Sequence, residues 1–213
     1  MKKVLRRYTD GERLNHWFFA IMFFAAVFSG LALFHPAFYF LTNLFGGGSW
    51  TRILHPYMGV VMVLAFLFFA LRLIGENRIT ARDREWRKHM GSMMRGNKEA
   101  MPPVDKFNYG QKMVYWIMLL GLLVLLVTGA LFWRPWFDEL VPIPVQRVAV
   151  LLHAIAAVGV ILAVIVHIYA AFWVKGTIRA MSQGTVTDEW AALNHPLWRD
   201  RVVQQGGTEL SRR

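Results

Sequence analysis

The chain has 213 residues, a formal net charge of +11, 56% hydrophobic residues and no cysteine. The lack of thiols excludes disulfides, cysteine-held iron–sulfur clusters and covalent c-type haem, which needs a Cys-x-x-Cys-His site. The apolar residues gather into long runs flanked by basic stretches, so the positive charge points to membrane topology and anionic lipid rather than to nucleic acid.

The amino-terminal arm carries Lys2, Lys3, Arg6, Arg7 and Arg13. The first apolar run, about Asn15 to Phe34, is too long for a signal-peptide core and no clear small-residue cleavage site follows it, so it is expected to remain as a span. The connection from His35 to Trp50 has no charged residue, and its Gly46-Gly47-Gly48 reads as a turn. It is not a phosphate loop, because no lysine with serine or threonine follows at that spacing. The second run covers about Ile53 to Ile74, and the connection after it holds Arg78, Arg82, Arg84, Arg87, Lys88, Arg95, Lys98 and Lys106. The third run covers about Lys112 to Trp133, and Arg134 to Gln146 then sets one arginine against Asp138 and Glu139. The fourth and longest run covers about Val148 to Val174, before a tail that opens with Lys175 and Arg179 and is polar after Gly184. That tail is expected to lie on the inner surface. Trp50, Trp133, Trp136 and Trp173 fall near run ends, where amphipathic rings anchor to the interface.

Each run holds roughly twenty or more residues, enough for a hydrocarbon core about 30 Å thick. The basic segments alternate with charge-poor ones, which by the positive-inside rule puts both termini and the middle connection in the cytoplasm. The expected fold is an all-α membrane protein, a single domain over residues 1–213 built as a four-transmembrane-helix bundle.

Histidines supply the chemistry. His153 and His167 lie fourteen residues apart on the fourth run. That spacing is about 21 Å of helix rise with both side chains on one side. His16 opens the first run and His55 the second. With the topology above, His16 and His167 sit at the cytoplasmic depth, and His55 and His153 at the outer depth. An imidazole inside a bilayer is costly and usually functional. Two pairs at two depths fit two b-type haems, each held by imidazoles from facing helices. Zinc fits less well, since its ligands converge within about 2 Å of one ion. His35 ends the first run before Pro36 and reads as an interface residue, with haem ligation or a propionate contact as the competing role. His89 and His195 are expected in solvent. Arg52 and Arg147 flank the outer pair, and Arg13 and Lys175 the inner pair, as candidate propionate partners or as snorkelling cations. Gly30, Gly59 and Gly129 offer places where a ring approaches backbone, or where helices pack closely.

Several stretches carry a family resemblance: Arg7-Tyr8-Thr9 with Glu12-Arg13-Leu14-Asn15-His16-Trp17; Arg52-Ile53-Leu54-His55-Pro56; Asn108-Tyr109-Gly110-Gln111-Lys112; Trp133-Arg134-Pro135; and His167-Ile168-Tyr169-Ala170-Ala171 through Trp173-Val174-Lys175-Gly176-Thr177. Together they cover nearly the whole chain. The chain resembles the cytochrome b (gamma) subunit of membrane-bound formate dehydrogenases of the formate dehydrogenase-N type. The resemblance implies four helices and two haem b groups, with His16 and His167 as one axial pair and His55 and His153 as the other. It implies a catalytic alpha subunit with molybdenum or tungsten, an iron–sulfur beta subunit, and a higher oligomer of that trimer as a possibility. It implies a bacterial inner membrane and electron flow inward to menaquinone or another quinone, with Asn108, Gly110 and Gln111 in the quinone-site loop. Read without the resemblance, Asn108-Tyr109-Gly110 is a helix cap. Related cytochromes b serving nickel–iron hydrogenase or thiosulfate reductase are one alternative. A haem-free membrane anchor for a peripheral enzyme is another.

Overall fold

The structure, a computed structural model, describes residues 2–97, 100–134 and 136–211. Lys98 of the basic connection and Pro135 of the Trp133-Arg134-Pro135 stretch lie outside the described residues. In chain order come β1 (Lys2–Arg6), α1 (Asp10–Phe34), a 3₁₀ turn (Pro36–Phe45) and α2 (Gly48–Leu73). The short α3 (Ala81–Lys88) and α4 (Met90–Met94) precede α5 (Tyr109–Leu131) and α6 (Ile143–Trp173). The tail forms α7 (Thr177–Gln183), β2 (Thr185–Thr187), α8 (Asp188–Asn194), α9 (Pro196–Gln204) and β3 (Thr208–Ser211).

Helices α1, α2, α5 and α6, of 25, 26, 23 and 31 residues, are long and apolar enough to cross a membrane. Each starts a few residues before its apolar run, and at α1 and α5 a polar cap opens the first turn outside it. At α1 the Thr9 backbone N–H donates to Glu12 Oε2 (2.7 Å) and the Glu12 N–H to Thr9 Oγ1 (3.3 Å), a reciprocal capping box. At α2 the chain turns through Gly46 and Gly47, both with positive φ (83° and 98°), so the triglycine is a left-handed turn with Gly48 as the first helical residue.

The chain forms two compact units. One comprises Leu14–Leu71 and Ile117–Val166. Its packed side chains include Phe23, Phe66, Leu122 and Val160, and Ser29 has no exposed surface. Val160 packs against Gly121 so closely that a Cβ there has no room. Facing outward are large apolar residues such as Leu64, Val127 and Leu151, each about 60% exposed (61%, 59% and 60%). A water-soluble protein avoids so broad an apolar surface, whereas acyl chains are its natural solvent. The chain is therefore read as an integral membrane protein.

The other unit comprises Met1–Arg13, Arg72–Trp116 and His167–Arg213. Its centre is a three-stranded antiparallel sheet of order β2-β1-β3, with Leu5 opposite Val186 on one side and Thr208 on the other. Leu5 and Val186 within the sheet and Ala191 of α8 are buried. Gly184 ends α7 in the left-handed region (φ 79°), and its carbonyl accepts from the Arg7 and Tyr8 N–H groups at 2.8 and 3.2 Å. The chain is thus mostly helical rather than all-α, and the tail is a folded layer knitted to the amino-terminal arm. Strands this short pair with partners some 180 residues away and leave no local periodic signal.

The same unit corrects the expectation for His195. Instead of meeting solvent it is 2% exposed. The Arg7 guanidinium, also buried, points Nη2 at His195 Nε2 (3.2 Å) and donates to the Lys106 carbonyl. Arg7 also lies over the rings of Tyr8, Trp190 and Trp198, at 5.7, 5.3 and 4.9 Å from their centroids. A guanidinium only donates, so His195 accepts at Nε2 and donates from Nδ1 to the Asp105 carbonyl (2.8 Å). Burial first, then the adjacent Arg7 charge, push the His195 pKa down to about 3 against the lift from Asp105. The imidazole therefore serves as a neutral core hydrogen-bonding group. His89 is half-buried at the end of α3, with Nδ1 3.1 Å from the Glu85 carbonyl.

Candidate functional site

His55 on α2 and His153 on α6 face each other within one unit, with ring centroids 6.3 Å apart and planes inclined by 72°. Each imidazole meets a hydroxyl from the preceding long helix. Ser29 Oγ on α1 lies 2.8 Å from His55 Nδ1, and Thr128 Oγ1 on α5 lies 3.0 Å from His153 Nδ1. The next residue in each case is glycine. A Cβ on Gly30 would lie 3.2 Å from His55 Cε1, and one on Gly129 would lie 3.2 Å from His153 Cε1. Two of the three glycines singled out from sequence thus face a ring, and the ring is a histidine. Among the described residues, Gly59 has nothing within 4 Å of a Cβ position.

This arrangement fits the expected axial pair. Two imidazoles bonded to one metal at about 2 Å each place their centroids about 6 Å apart. Both rings meet a hydroxyl at Nδ1, which leaves Nε2 of each as the nitrogen available to a metal. Ser29 and Thr128 were not singled out from sequence. The available signal was the recurrence of a hydroxyl residue followed by glycine, Ser29-Gly30 and Thr128-Gly129, about 25 residues before a histidine (26 and 25 residues).

The other expected ligands fall on the expected helices. His16 is half-buried on α1, edge-to-face with Trp17 at 5.3 Å. His167 is exposed on α6. His35 takes a capping role: its Nδ1 accepts from the Ala37 N–H (3.2 Å) at the start of the 3₁₀ turn. Arg52, Arg147 and Lys175 are exposed. Arg13 is committed elsewhere. Its guanidinium donates to the Met181 carbonyl (3.3 Å) and the Ser182 carbonyl and pairs with Asp10 (2.8 Å). Trp50, Trp136 and Trp173 are exposed, as interface anchors are.

Asn108 and Gln111 open α5 with a second reciprocal cap. The Asn108 N–H donates to Gln111 Oε1 (3.0 Å), and the Gln111 N–H donates to Asn108 Oδ1 (2.9 Å). A Cβ on Gly110 would touch Asn108 Oδ1 at 3.4 Å. Capping occupies both carboxamide oxygens and leaves the two NH₂ groups as what each side chain has to offer a ligand. The next residue, Lys112, is buried and donates to Asp83 Oδ2 (2.8 Å) and the Arg78 carbonyl (3.0 Å). These residues help to shape a cavity of about 340 Å³, whose lining includes Phe107 and Lys112, the residues on either side of the Asn108–Gln111 loop.

The family model for prokaryotic cytochrome b561 matches residues 7–184. The chain is 40% identical over 200 residues to the formate dehydrogenase cytochrome b556 subunit of Haemophilus influenzae, covering 93% of this chain and 84% of that one. It is 43% identical over 192 residues to the formate dehydrogenase cytochrome b556(fdo) subunit of Escherichia coli, with 90% of each chain covered. It is 38% identical over 187 residues to the nitrate-inducible formate dehydrogenase cytochrome b556(Fdn) subunit of the same organism, covering 88% of this chain and 86% of that one.

Proposed function

The chain belongs to the prokaryotic cytochrome b561 family as a cytochrome b subunit of a formate dehydrogenase membrane complex, and we propose that it is a dihaem electron wire. It takes electrons from a periplasmic iron–sulfur beta subunit and delivers them to menaquinone or another quinone near the cytoplasmic face of a bacterial inner membrane. Formate oxidation belongs to the alpha subunit, with its molybdenum or tungsten. The observation that carries this reading is the facing pair His55 and His153, each held at Nδ1 by a hydroxyl.

His55 and His153 hold the outer haem, and His16 and His167 the inner one. The alternation of basic and neutral connections supports these depths and cytoplasmic termini. Bound haem supplies a one-electron carrier. The protein's own part is to fix the axial imidazoles, exclude water with apolar helices, and place the quinone loop. Asn108, Gly110 and Gln111 form that loop. The carboxamide NH₂ of Asn108 donates to a quinone carbonyl, and protons for the quinol come from the cytoplasm. Each charge moved across 100 mV is worth about 2.3 kcal/mol, so inward electron flow with proton uptake inside charges the membrane.

The deciding experiment is a dithionite-reduced minus oxidised spectrum of the purified complex, with haem quantified per copy of this chain. Two b haems per chain are expected. A folded, cofactor-replete preparation with no haem would establish the anchor reading instead. The quinone loop has its own test. Asn108→Asp keeps an oxygen to cap α5 and removes the NH₂ donor. Both haems are expected to remain, with quinone reduction slowed roughly threefold to tenfold, the worth of one hydrogen bond. Unchanged quinone kinetics would leave Asn108 with its cap alone.

A further inference from the structure

The hydrogen bonds around Ser29 and Thr128 determine where the protons on two buried imidazoles sit. A hydroxyl has one proton and two lone pairs. Ser29 Oγ lies 2.8 Å from the Ala25 carbonyl and 3.1 Å from that of Ala26. Thr128 Oγ1 lies 2.6 Å from the Val124 carbonyl and 3.4 Å from that of Leu125. Each hydroxyl therefore donates its proton back into its own helix, to the carbonyl four residues earlier. Only lone pairs remain to face the histidine. The ring nitrogen at 2.8 or 3.0 Å must then be the donor, so Nδ1 carries the hydrogen in both His55 and His153. Within apolar helices no bulk water competes for these sites.

We propose that Ser29 and Thr128 are positioning residues that lock His55 and His153 in the Nδ1–H tautomer, present Nε2 to the outer haem iron, and hold that haem's midpoint potential down. The inference rests on the reading that these histidines are the ligands. Its physical basis is ligand basicity. An acceptor on the remote N–H gives the imidazole more anionic character, which favours the oxidised iron. Burial sharpens the effect, since an unpaired N–H in hydrocarbon is costly. The device occurs twice. In each case hydroxyl and glycine are consecutive on one helix, the hydroxyl at Nδ1 and the glycine beside Cε1, so the ring is fixed both in tautomer and in rotation about χ2.

Thr128→Val removes the hydroxyl and keeps the shape, Thr128→Ser keeps the hydroxyl, and Ser29→Ala repeats the deletion on the other ligand. The measurements are haem per chain and a potentiometric titration of the haem absorbance in the whole complex. The haem lost in His55→Ala identifies the outer centre. T128V and S29A are expected to shift that haem's potential upward with the other haem unchanged, and T128S to return it to the wild-type value. Loss of the outer haem in T128V that T128S restores also supports the proposal. A wild-type or lowered potential at full haem content in T128V overturns it, as does haem loss that persists in T128S. Retention of both haems in His55→Ala or His153→Ala would instead remove the ligand assignment itself, a separate failure.

Discussion

Replacing His153 with alanine is expected to remove one haem per chain and to lower formate-to-quinone electron transfer by more than about 100-fold. Changing an outer partner of a metal ligand commonly costs about 10- to 100-fold, so loss of the ligand itself must exceed that. The imidazole also makes the edge contact with Phe132 at 5.4 Å and fills the space beside Gly129, so alanine opens a void there and, on the proposed ligation, would leave the iron one protein ligand. His55→Ala should give the same spectrum, because its ring is the partner at 6.3 Å. The double variant should lose no more haem than either single one, since groups that act as a unit are not additive. His16→Ala and His167→Ala should each remove the other haem. Haem quantification with a low-temperature difference spectrum checks the set. A double variant lacking both haems would show that His55 and His153 serve different irons.

The second large effect is expected at Lys112. Its ammonium and the Asp83 carboxylate form a pair at 2.8 Å with side chains 8% and 7% exposed. Asp83 Oδ2 also accepts from the Thr80 N–H (2.8 Å) and Thr80 Oγ1 (2.7 Å), so one oxygen caps α3 and meets the cation. Lys112→Met keeps most of the apolar stem and leaves the carboxylate buried without its counter-charge, which destabilises by about 3–5 kcal/mol. Lys112→Met combined with Asp83→Asn should recover much of that loss, because no buried charge is left stranded. Thermal unfolding in detergent and proteolysis of the 75–111 connection read the effect. A Lys112→Met protein as stable as wild type would mean that water reaches Asp83.

The same pair sets an acid limit. Burial alone would raise the Asp83 pKa, but the Lys112 ammonium and the Thr80 donors outweigh it and hold the carboxyl below its usual range. A depressed folded pKa contributes stability that is complete above the unfolded value of about 3.9 and is lost as pH falls through the folded one. The wild type should therefore lose stability in the acid window below about pH 4. Lys112→Met should lose less there, having already lost the interaction. Equal acid sensitivity in the two proteins would assign the limit to other carboxylates.

Much of the architecture is a local property of the chain. A span needs about 20 apolar residues in succession, and the basic flanks of Lys2–Arg13 and Arg78–Lys106 can be read directly beside them. The four candidate histidines were legible for the same reason. Positions fourteen apart on one helix share a side whatever surrounds them, and His153 and His167 do lie on the uninterrupted α6. The cap of α5 was partly legible too, in Asn108-Tyr109-Gly110 read as a helix start. The motif residues Arg7, Glu12 and Lys112 turn out to be buried charges within one unit, which nothing local in the sequence signalled.

Tertiary structure alone decided which groups meet across long separations. Arg7 and His195 are 188 residues apart, Ser29 and His55 26, and Thr128 and His153 25. No periodicity encodes such pairs. They arise when helices and strands pack, and a buried polar atom accepts whatever partner the packing brings within hydrogen-bond distance, because in an apolar interior an unpaired donor or acceptor costs more than any alternative arrangement. The sequence by itself determined the spans, their flanking charge and the histidines available to bind haem. Packing determined that His195 is a core group, that β1 near one end of the chain pairs with β2 and β3 near the other, and that two hydroxyls meet Nδ1 of two candidate ligands.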